Sequence, residues 1–453
     1  MQKFGLDWRM GMYRFENFCN WLRIKEGLLE PSQTITGVAI DSRDVRPGNI
    51  FFALTGAKTD GHRYLAQVKA LGASLAVVNH EFTGDDYGLP LIRVPNTLKA
   101  LQMAAHGFVS SGSRAQVLAI TGSLGKTTMK GFVTQLLRST YKVSTTSGNK
   151  NSQAGLALAL LNETDGTEDY LVVEMGMTEP NQIKTLTEIV PPDIALITSI
   201  ALVHAENFPS LQEIARAKAE IFSHPKTQHV IVNRDTACSD FLLGLCTCKK
   251  ETYSVKESLQ VSPEGIAFTE RGDVFALPYV HFPASHVYVN LLGAITAARA
   301  CHVSMDAIIA TLPSLRLPER RLQEVQKDDI LFINDAYNAA ELSMKGALEA
   351  MRERVVAGRK IGVLGHMAEL GQFSNECHQR VGAFSIDCVD ELFCFGKLCG
   401  PLYEEWKVAQ KPARWFLDFD ELMHELRKTA LPGDCVLVKG ARSLALERVV
   451  ETF

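Results

Sequence analysis

Residues 120–130 read ITGSLGKTTMK. They follow the apolar run QVLAI and lead into a helical pattern, TTMKGFVTQLLRS. A strand, a glycine-bearing loop and a helix opening on Lys and Thr form the setting of a phosphate-binding loop. The usual pattern is G-x-x-x-x-G-K-S/T, and its first glycine position is held by Ile120. Gly122 and Gly125 still let the loop, Thr121, Ser123 and Leu124 included, turn backbone N–H groups toward an anion. The helix N-terminus, from Lys126 to Thr128, adds partial positive charge. Lys126 supplies a full charge for the β- and γ-phosphates, and the Thr127 hydroxyl can hold Mg²⁺. The missing glycine removes one hinge and none of the charged groups. A tight strand-to-helix turn with an incidental Gly-Lys-Thr is the alternative. The order of strand, loop, Lys, hydroxyl and helix favours a nucleotide.

Strand-like and helix-like runs alternate through all 453 residues, which argues for an α/β chain with largely parallel sheets. At roughly 100–200 residues per domain the length suggests about three domains. In residues 1–112 the strand candidates are TGVAI, IFFAL, SLAVV and LIRV, with a helical pattern at HRYLAQVKALGA and a linker at 110–114, SSGSR. Residues 113–316 hold the loop, the buried-strand candidates YLVVEMG, DIALITSI and HVIVN, and a helix around VNLLGAITAARACHV. Residues 317–453 hold ILFIND, KIGVLG, ELFCFG and CVLVKG, short apolar runs each ending in Gly or Asp. That is the pattern of a doubly wound sheet whose strand ends face a ligand crevice.

Bulk properties narrow the partners. Net charge is -4 with no long basic block, so nucleic acid and acidic membrane surfaces are poor partners. No run of about 18 apolar residues lacks a charge, and the first residues show no secretory leader pattern. The ten scattered cysteines lack zinc-finger spacing and read as reduced thiols. A cytoplasmic protein is the expectation.

Three residues downstream of the loop could complete a metal site. Glu174 ends the strand YLVVE, His204 follows DIALITSI by a short loop, and Lys218 lies in the helical run LQEIARAKAEIF. Singly, each has an ordinary explanation: a solvated acid, a packing histidine, a surface lysine. Their order after a phosphate loop brings the site reading level with those. In the last block RRLQ and INDAYNAAELSM place Arg321, Asp335, Tyr337 and Asn338 near one another in sequence, and VKGARSLALE carries Lys439 and Arg442 past a strand end. Such groups could clamp a phosphate or carboxylate. A solvated rim explains any one of them equally well.

ITGSLGKTT resembles the nucleotide loop of the Mur ligases, the ATP-dependent amide-forming enzymes of peptidoglycan precursor synthesis, whose loop T-G-S/T-x-G-K-T/S lacks the first glycine. The resemblance covers nearly the whole chain. It implies three domains: an N-terminal UDP-sugar-binding α/β domain, a central ATPase with a mostly parallel sheet, and a C-terminal Rossmann-like domain. Residues 39–78 are similar to the family's UDP-binding domain, with Ser42 and Arg43 on its D-S-R motif and Asp60, Gly61 and His62 on its D-G-H motif. SGNKNSQAGLALALL resembles the Asn-rich segment after the loop helix, carrying Asn149, and SHVYVNLLGAITAA resembles the adenine segment, with Asn290 on its second Asn.

By the same resemblance Lys126, Glu174, His204 and Lys218 are the catalytic set. Thr127, Glu174, His204 and a carbamylated Lys218 would be the Mg²⁺ ligands, and Arg321 and Asp335 would reach ATP. INDAYNAAELSM, VLGHMAELG and VKGARSLALE are similar to the motifs of the member that adds D-Ala-D-Ala to UDP-MurNAc-tripeptide, which implicates Tyr337, Asn338, Lys439 and Arg442 in substrate binding. The D-N-P-R motif of the member that adds the preceding amino acid is absent. Departures from the pattern are Asn334 and His366 for Asp, Ala340-Glu341 for Asn-Pro, Ala441 for Ser, Ser152 for Asn, and Arg320 for the Gly before Arg321. The expectation is a monomeric ligase using ATP and Mg²⁺. The rivals are another amide ligase of the superfamily and a non-catalytic nucleotide-binding scaffold.

Overall fold

In a computed structural model the described residues are 13–24, 30, 33–56, 59–148, 150–203, 205–262, 265–270, 272–278, 280, 282, 284 and 286–453. Strands β1 (Val38–Ala39), β2 (Ile50–Phe52), β3 (Leu75–Asn79) and β4 (Leu91–Val94) pair in parallel in that order. They match the four apolar runs of the first block. Helix α1 (Leu65–Ala70) follows a 3₁₀ turn within the expected helical pattern.

Helix α2 (Thr97–Gly112) runs into the stretch read as a linker. Its serines are absorbed by local bonds: Ser111 Oγ donates to Gly107 O at 2.5 Å and accepts from Trp21 Nε1 at 2.8 Å. A serine whose hydroxyl satisfies the carbonyl four residues back continues a helix.

The central sheet contains β5 (Gln116–Thr121), β6 (Val143–Thr145), β7 (Tyr170–Glu174), β8 (Ile194–Ile197), β9 (His229–Asn233) and β10 (Lys249–Tyr253). Its order is β10-β9-β8-β5-β7-β6, parallel throughout. Helices α3 (Lys126–Leu137), α4 (Gln153–Glu163), α5 (Leu211–Ala219) and α6 (His286–Ala300) accompany it. Alternation sorts the strand residues. Leu118, Ile120, Val172, Leu196 and Ile231 bury in a core with α3 and α6. Val117, Ala119, Val173, Ile197 and Val232 bury in another with α2 and α4. A parallel sheet covered on both faces reads as continuous apolar runs, which is how these strands appear in the sequence.

Before α6 lies a small antiparallel sheet, β11 (Leu259–Ser262), β12 (Gly265–Glu270) and β13 (Asp273–Leu277), absent from the sequence expectation. The last sheet holds β14 (Gln323–Lys327), β15 (Ile330–Asn334), β16 (Lys360–Gly365), β17 (Glu391–Phe395), β18 (Ala413–Phe416) and β19 (Cys435–Lys439) in the order β14-β15-β19-β16-β17-β18. Only β14 is antiparallel to its neighbour. Helix α7 (Glu341–Glu353) leaves the loop after β15. Among the described residues no helix is long and apolar enough to cross a membrane.

Candidate active site

The C-terminal ends of β5, β7 and β8 open on a cleft of about 930 Å³, which the loops after β15 and β19 and the start of α7 close from the other side. The phosphate loop is its floor. Gly125 takes φ +82° and Gly122 φ +147°; a Cβ on Gly122 would sit 1.9 Å from Thr198 Oγ1 and 3.0 Å from Ser199 N. The loop is braced from β8: Thr198 Oγ1 donates to Leu124 O at 2.6 Å, and Ser199 Oγ accepts from Leu124 N at 2.9 Å. Thr121 is fully buried, with its hydroxyl donated to Met175 O at 2.8 Å, so it anchors the loop rather than lining the cleft. Ser123, Leu124, Gly125, Lys126, Thr127, Thr128 and Asn290 all line it.

Lys126 Nζ donates to Gly122 O at 2.8 Å and Ser123 O at 3.2 Å. Burial pushes its pKa down and Glu174 opposes that. Glu174 is 2% exposed at the end of β7. Its Oε2 accepts from Thr127 Oγ1 at 3.0 Å and its Oε1 from Asn151 Nδ2 at 2.7 Å. A hydroxyl and a carboxylate converging on one point are the hard oxygen donors that Mg²⁺ takes. Lys218, on α5, is 3% exposed, and burial followed by the charge of Lys126 pushes its pKa well down. Its neutral amine is favoured as a result.

The far wall comes from the last block. Arg321 stacks its guanidinium 4.0 Å from the Tyr337 ring centre. Burial, and then the charge of Glu174, raises the Tyr337 phenol. Asp335 and Lys439, 6% and 1% exposed, form an ion pair of 2.6 Å. Lys439 Nζ also donates to Asn338 O at 3.0 Å, and Asp335 Oδ1 accepts from Leu322 N at 3.2 Å. Asn338 and Arg442 complete this rim, and Arg442 is tied to Glu447 at 2.6 Å.

Ser42, Arg43, Asp60, Gly61 and His62 do not line this cleft; they gather at the first sheet. Asp60 Oδ1 meets His62 Nδ1 at 2.6 Å, and His62 Nε2 accepts from Asn79 N at 3.0 Å. A Cβ on Gly61 would lie 2.9 Å from Leu54 N. Ser42 Oγ donates to Gln67 Oε1 at 3.2 Å. Asp41 is held down to about 2 by its hydrogen bonds with Arg43. Asn149 and His204 lie outside the described residues. Asn151, two places beyond Asn149 in the same Asn-rich run, is the one that touches Glu174 and was passed over in the sequence.

Three family models match the chain: the Mur ligase family catalytic domain at 34–109, the Mur ligase middle domain at 120–298, and the Mur ligase glutamate ligase domain at 320–442. The UDP-N-acetylmuramoyl-tripeptide–D-alanyl-D-alanine ligase of Bacillus subtilis (strain 168) is 31% identical, with 92% of this chain and 93% of that one covered. The chain belongs to the Mur ligase family. Among solved structures, MurF from Acinetobacter baumannii superposes with a TM-score of 0.83 at 24% identity, over 98% of this chain and 99% of that one. MurF from Thermotoga maritima in complex with ADP gives 0.78 at 25% identity, over 92% and 96%. At the place of the Gly in the Mur ligase pattern, Arg320 takes φ +58°, a left-handed conformation that a glycine would adopt without strain. Glu341, in place of Pro, is half-buried, which would raise its pKa, but Arg380 and Lys345 bring it down to about 2.

Proposed function

We infer that this Mur ligase joins D-Ala-D-Ala to UDP-MurNAc-tripeptide with ATP, giving UDP-MurNAc-pentapeptide, ADP and phosphate in peptidoglycan precursor synthesis. The names of its relatives support the substrate pair, and the ADP complex of the Thermotoga maritima enzyme supports the nucleotide. The observation that carries the reading is the facing of two walls across one cleft. Lys126, Thr127 and Glu174 stand on one side, and Arg321, Asp335, Tyr337 and Lys439 on the other.

The chemistry follows from the reactants. A carboxylate resists an amine because oxide is too poor a leaving group. Attack of the tripeptide carboxylate on the γ-phosphorus displaces ADP and leaves an acyl phosphate. The free amine of D-Ala-D-Ala adds to that carbonyl, and the tetrahedral adduct collapses with loss of phosphate and a proton. Positioning and charge neutralisation do most of this work. Lys126 and the loop amides hold the β- and γ-phosphates, and Arg321, stiffened by its stack on Tyr337, faces them from the third block. Thr127 and Glu174 fit one Mg²⁺, which when bound offsets phosphate charge. Lys218, its neutral amine favoured, suits addition of CO₂, and with His204 it would hold a second Mg²⁺ near the acceptor carboxylate. Ser42, Arg43, Asp60, Gly61 and His62 are assigned to the UDP-substrate, and Asn338, Lys439 and Arg442 to the dipeptide side. Residues 1–112, 113–316 and 317–453 then act as UDP-substrate, ATP and dipeptide units of a cytoplasmic monomer.

The test is phosphate release from ATP, Mg²⁺ and UDP-MurNAc-tripeptide with D-Ala-D-Ala, diaminopimelate or lysine as amine. Release with D-Ala-D-Ala alone is expected. Release with another amine reassigns the ligase within its family, and no stimulation by any amine leaves a nucleotide-binding scaffold.

A further inference from the structure

Lys130 is a buried charge that the reaction above does not use. It lies one turn beyond Lys126 on α3, on the same helix face, and is 5% exposed. Among the described residues no carboxylate bonds it. Its Nζ instead donates to two carbonyls, Thr146 O at 2.5 Å and Gly148 O at 3.1 Å. Burial pushes its pKa down, and the fields of Glu174 and Glu163 push back. A cation so placed is costly unless hydrogen-bonded. An apolar residue would leave two inward carbonyls without their donor.

The carbonyls belong to the loop between β6 and α4, and that loop delivers Asn151. Asn151 holds Glu174 Oε1 at 2.7 Å through its amide, while its own carbonyl accepts from Gly176 N at 2.9 Å, two residues past Glu174. The outer side of the loop is fixed separately: Ser147 N and Oγ both donate to Glu163 at 2.7 Å, and Lys150 pairs with the same carboxylate. Ser152 Oγ caps α4 by accepting from Gly155 N at 3.2 Å. The loop is clamped between Glu163 outside and Lys130 inside, and its product is one fixed orientation of Glu174, with Oε2 left to Thr127.

We propose that Lys130 is a positioning residue for the metal–nucleotide site, acting through the 146–151 loop and Asn151 to hold the Glu174 carboxylate in its binding orientation. Removing a group that orients a metal ligand costs about 10–100-fold in metal affinity or activity. Lys130→Met is therefore expected to weaken Mn²⁺·ATP binding by at least about 10-fold, read by electron paramagnetic resonance titration. Hydrogen exchange of the 146–151 amides should speed up in the metal-free protein, while affinity for the UDP-substrate stays at the wild-type value. Asn151→Ala should weaken Mn²⁺·ATP similarly, and the double variant should be no worse than either single.

The turnover readout rests on the ligase reading: kcat should fall with KM for the UDP-substrate unchanged. The binding and exchange readouts stand without it, so wild-type protein that binds Mn²⁺·ATP but turns nothing over defeats that reading and leaves this one intact. Additive losses in the double variant, or a Lys130→Met variant of unchanged Mn²⁺·ATP affinity, overturn the proposal. Where Lys130→Met does not fold, Lys130→Gln takes its place. Wild-type Mn²⁺·ATP affinity in Asn151→Ala overturns the proposal whatever happens at position 130.

Discussion

Lys439→Met separates the architecture of the far wall from its chemistry. Lys439 is fully enclosed and spends its donors on Asp335 Oδ2 at 2.6 Å and Asn338 O at 3.0 Å, with a longer contact to Asp335 O. Methionine fills similar volume and bonds neither. Asp335 keeps one donor, the Leu322 N–H. Removing one partner of a buried pair costs about 3–5 kcal/mol, because the other charge stays buried without compensation. At about 2–4 °C per kcal/mol for a domain of some 150–250 residues, the melting transition of the last block should fall by roughly 6–20 °C. Asp335→Asn added to Lys439→Met removes the stranded charge and keeps an acceptor for Leu322 N. It should recover more than half of the loss. Differential scanning calorimetry of the two singles and the double reads this directly. Phosphate release should stay low in all three, because each variant removes a charge from the wall that faces the phosphate loop. A single-variant loss below about 1 kcal/mol, or a double equal to the sum of the singles, would refute the reasoning.

Other outcomes follow from the same geometry. Gly122→Ala meets Thr198 Oγ1 and adds backbone strain of about 1–3 kcal/mol at φ +147°; ATP affinity should fall at least 10-fold, and wild-type affinity by calorimetric titration would show the loop tolerates a side chain there. Lys218→Ala should abolish turnover, with partial rescue by a short-chain carboxylate; normal turnover removes Lys218 from the mechanism. Glu341, lowered from 4.5 to about 2, contributes stability that is complete above about pH 4.5 and lost as pH falls through 2. The urea-midpoint gap between wild type and Glu341→Gln should therefore be wide at pH 7 and narrow by pH 3, and an equal gap at both values would show that the salt bridges to Arg380 and Lys345 contribute nothing.

The interior parallel strands were legible because they are buried on both faces and so read as unbroken apolar runs: LAVV, LVV, IALI, VIV. The phosphate loop was legible because its residue types and its place between strand and helix come in one stretch. The elements missed lacked that signal. β14, QEVQK, and β18, ARWF, are edge strands, with half-wet faces and no apolar run. The stretch SSGSR reads as a linker, although α2 runs on through Gly112, because serine signals a turn unless its hydroxyl returns to the helix. Which Asn of SGNKNSQ would touch Glu174 depends on the loop's path, and that path is set by Lys130, which looks like any helix lysine. The Asp335–Lys439 pair spans 104 residues, and spacing carries no trace of it.

The two-faced central sheet bears on synthesis. The first block's inner core includes Val117, Leu171, Ile197, Val232 and Cys246, so the residues that complete it are made long after residue 112. At about 5–20 residues per second, Cys246 follows residue 112 by roughly 7–27 s; α2, which with Phe18 covers Ile50, Phe52, Leu75 and Val77 from within the first block, meanwhile lacks the central elements that pack on its own outer side. The first sheet's opposite face, where Phe51, Ala76 and Val78 pack under Leu65 and Val68, closes from local residues alone. The nascent chain thus carries a half-finished domain with one greasy side, and slow translation through residues 113–246 would lengthen the interval in which a chaperone must cover it.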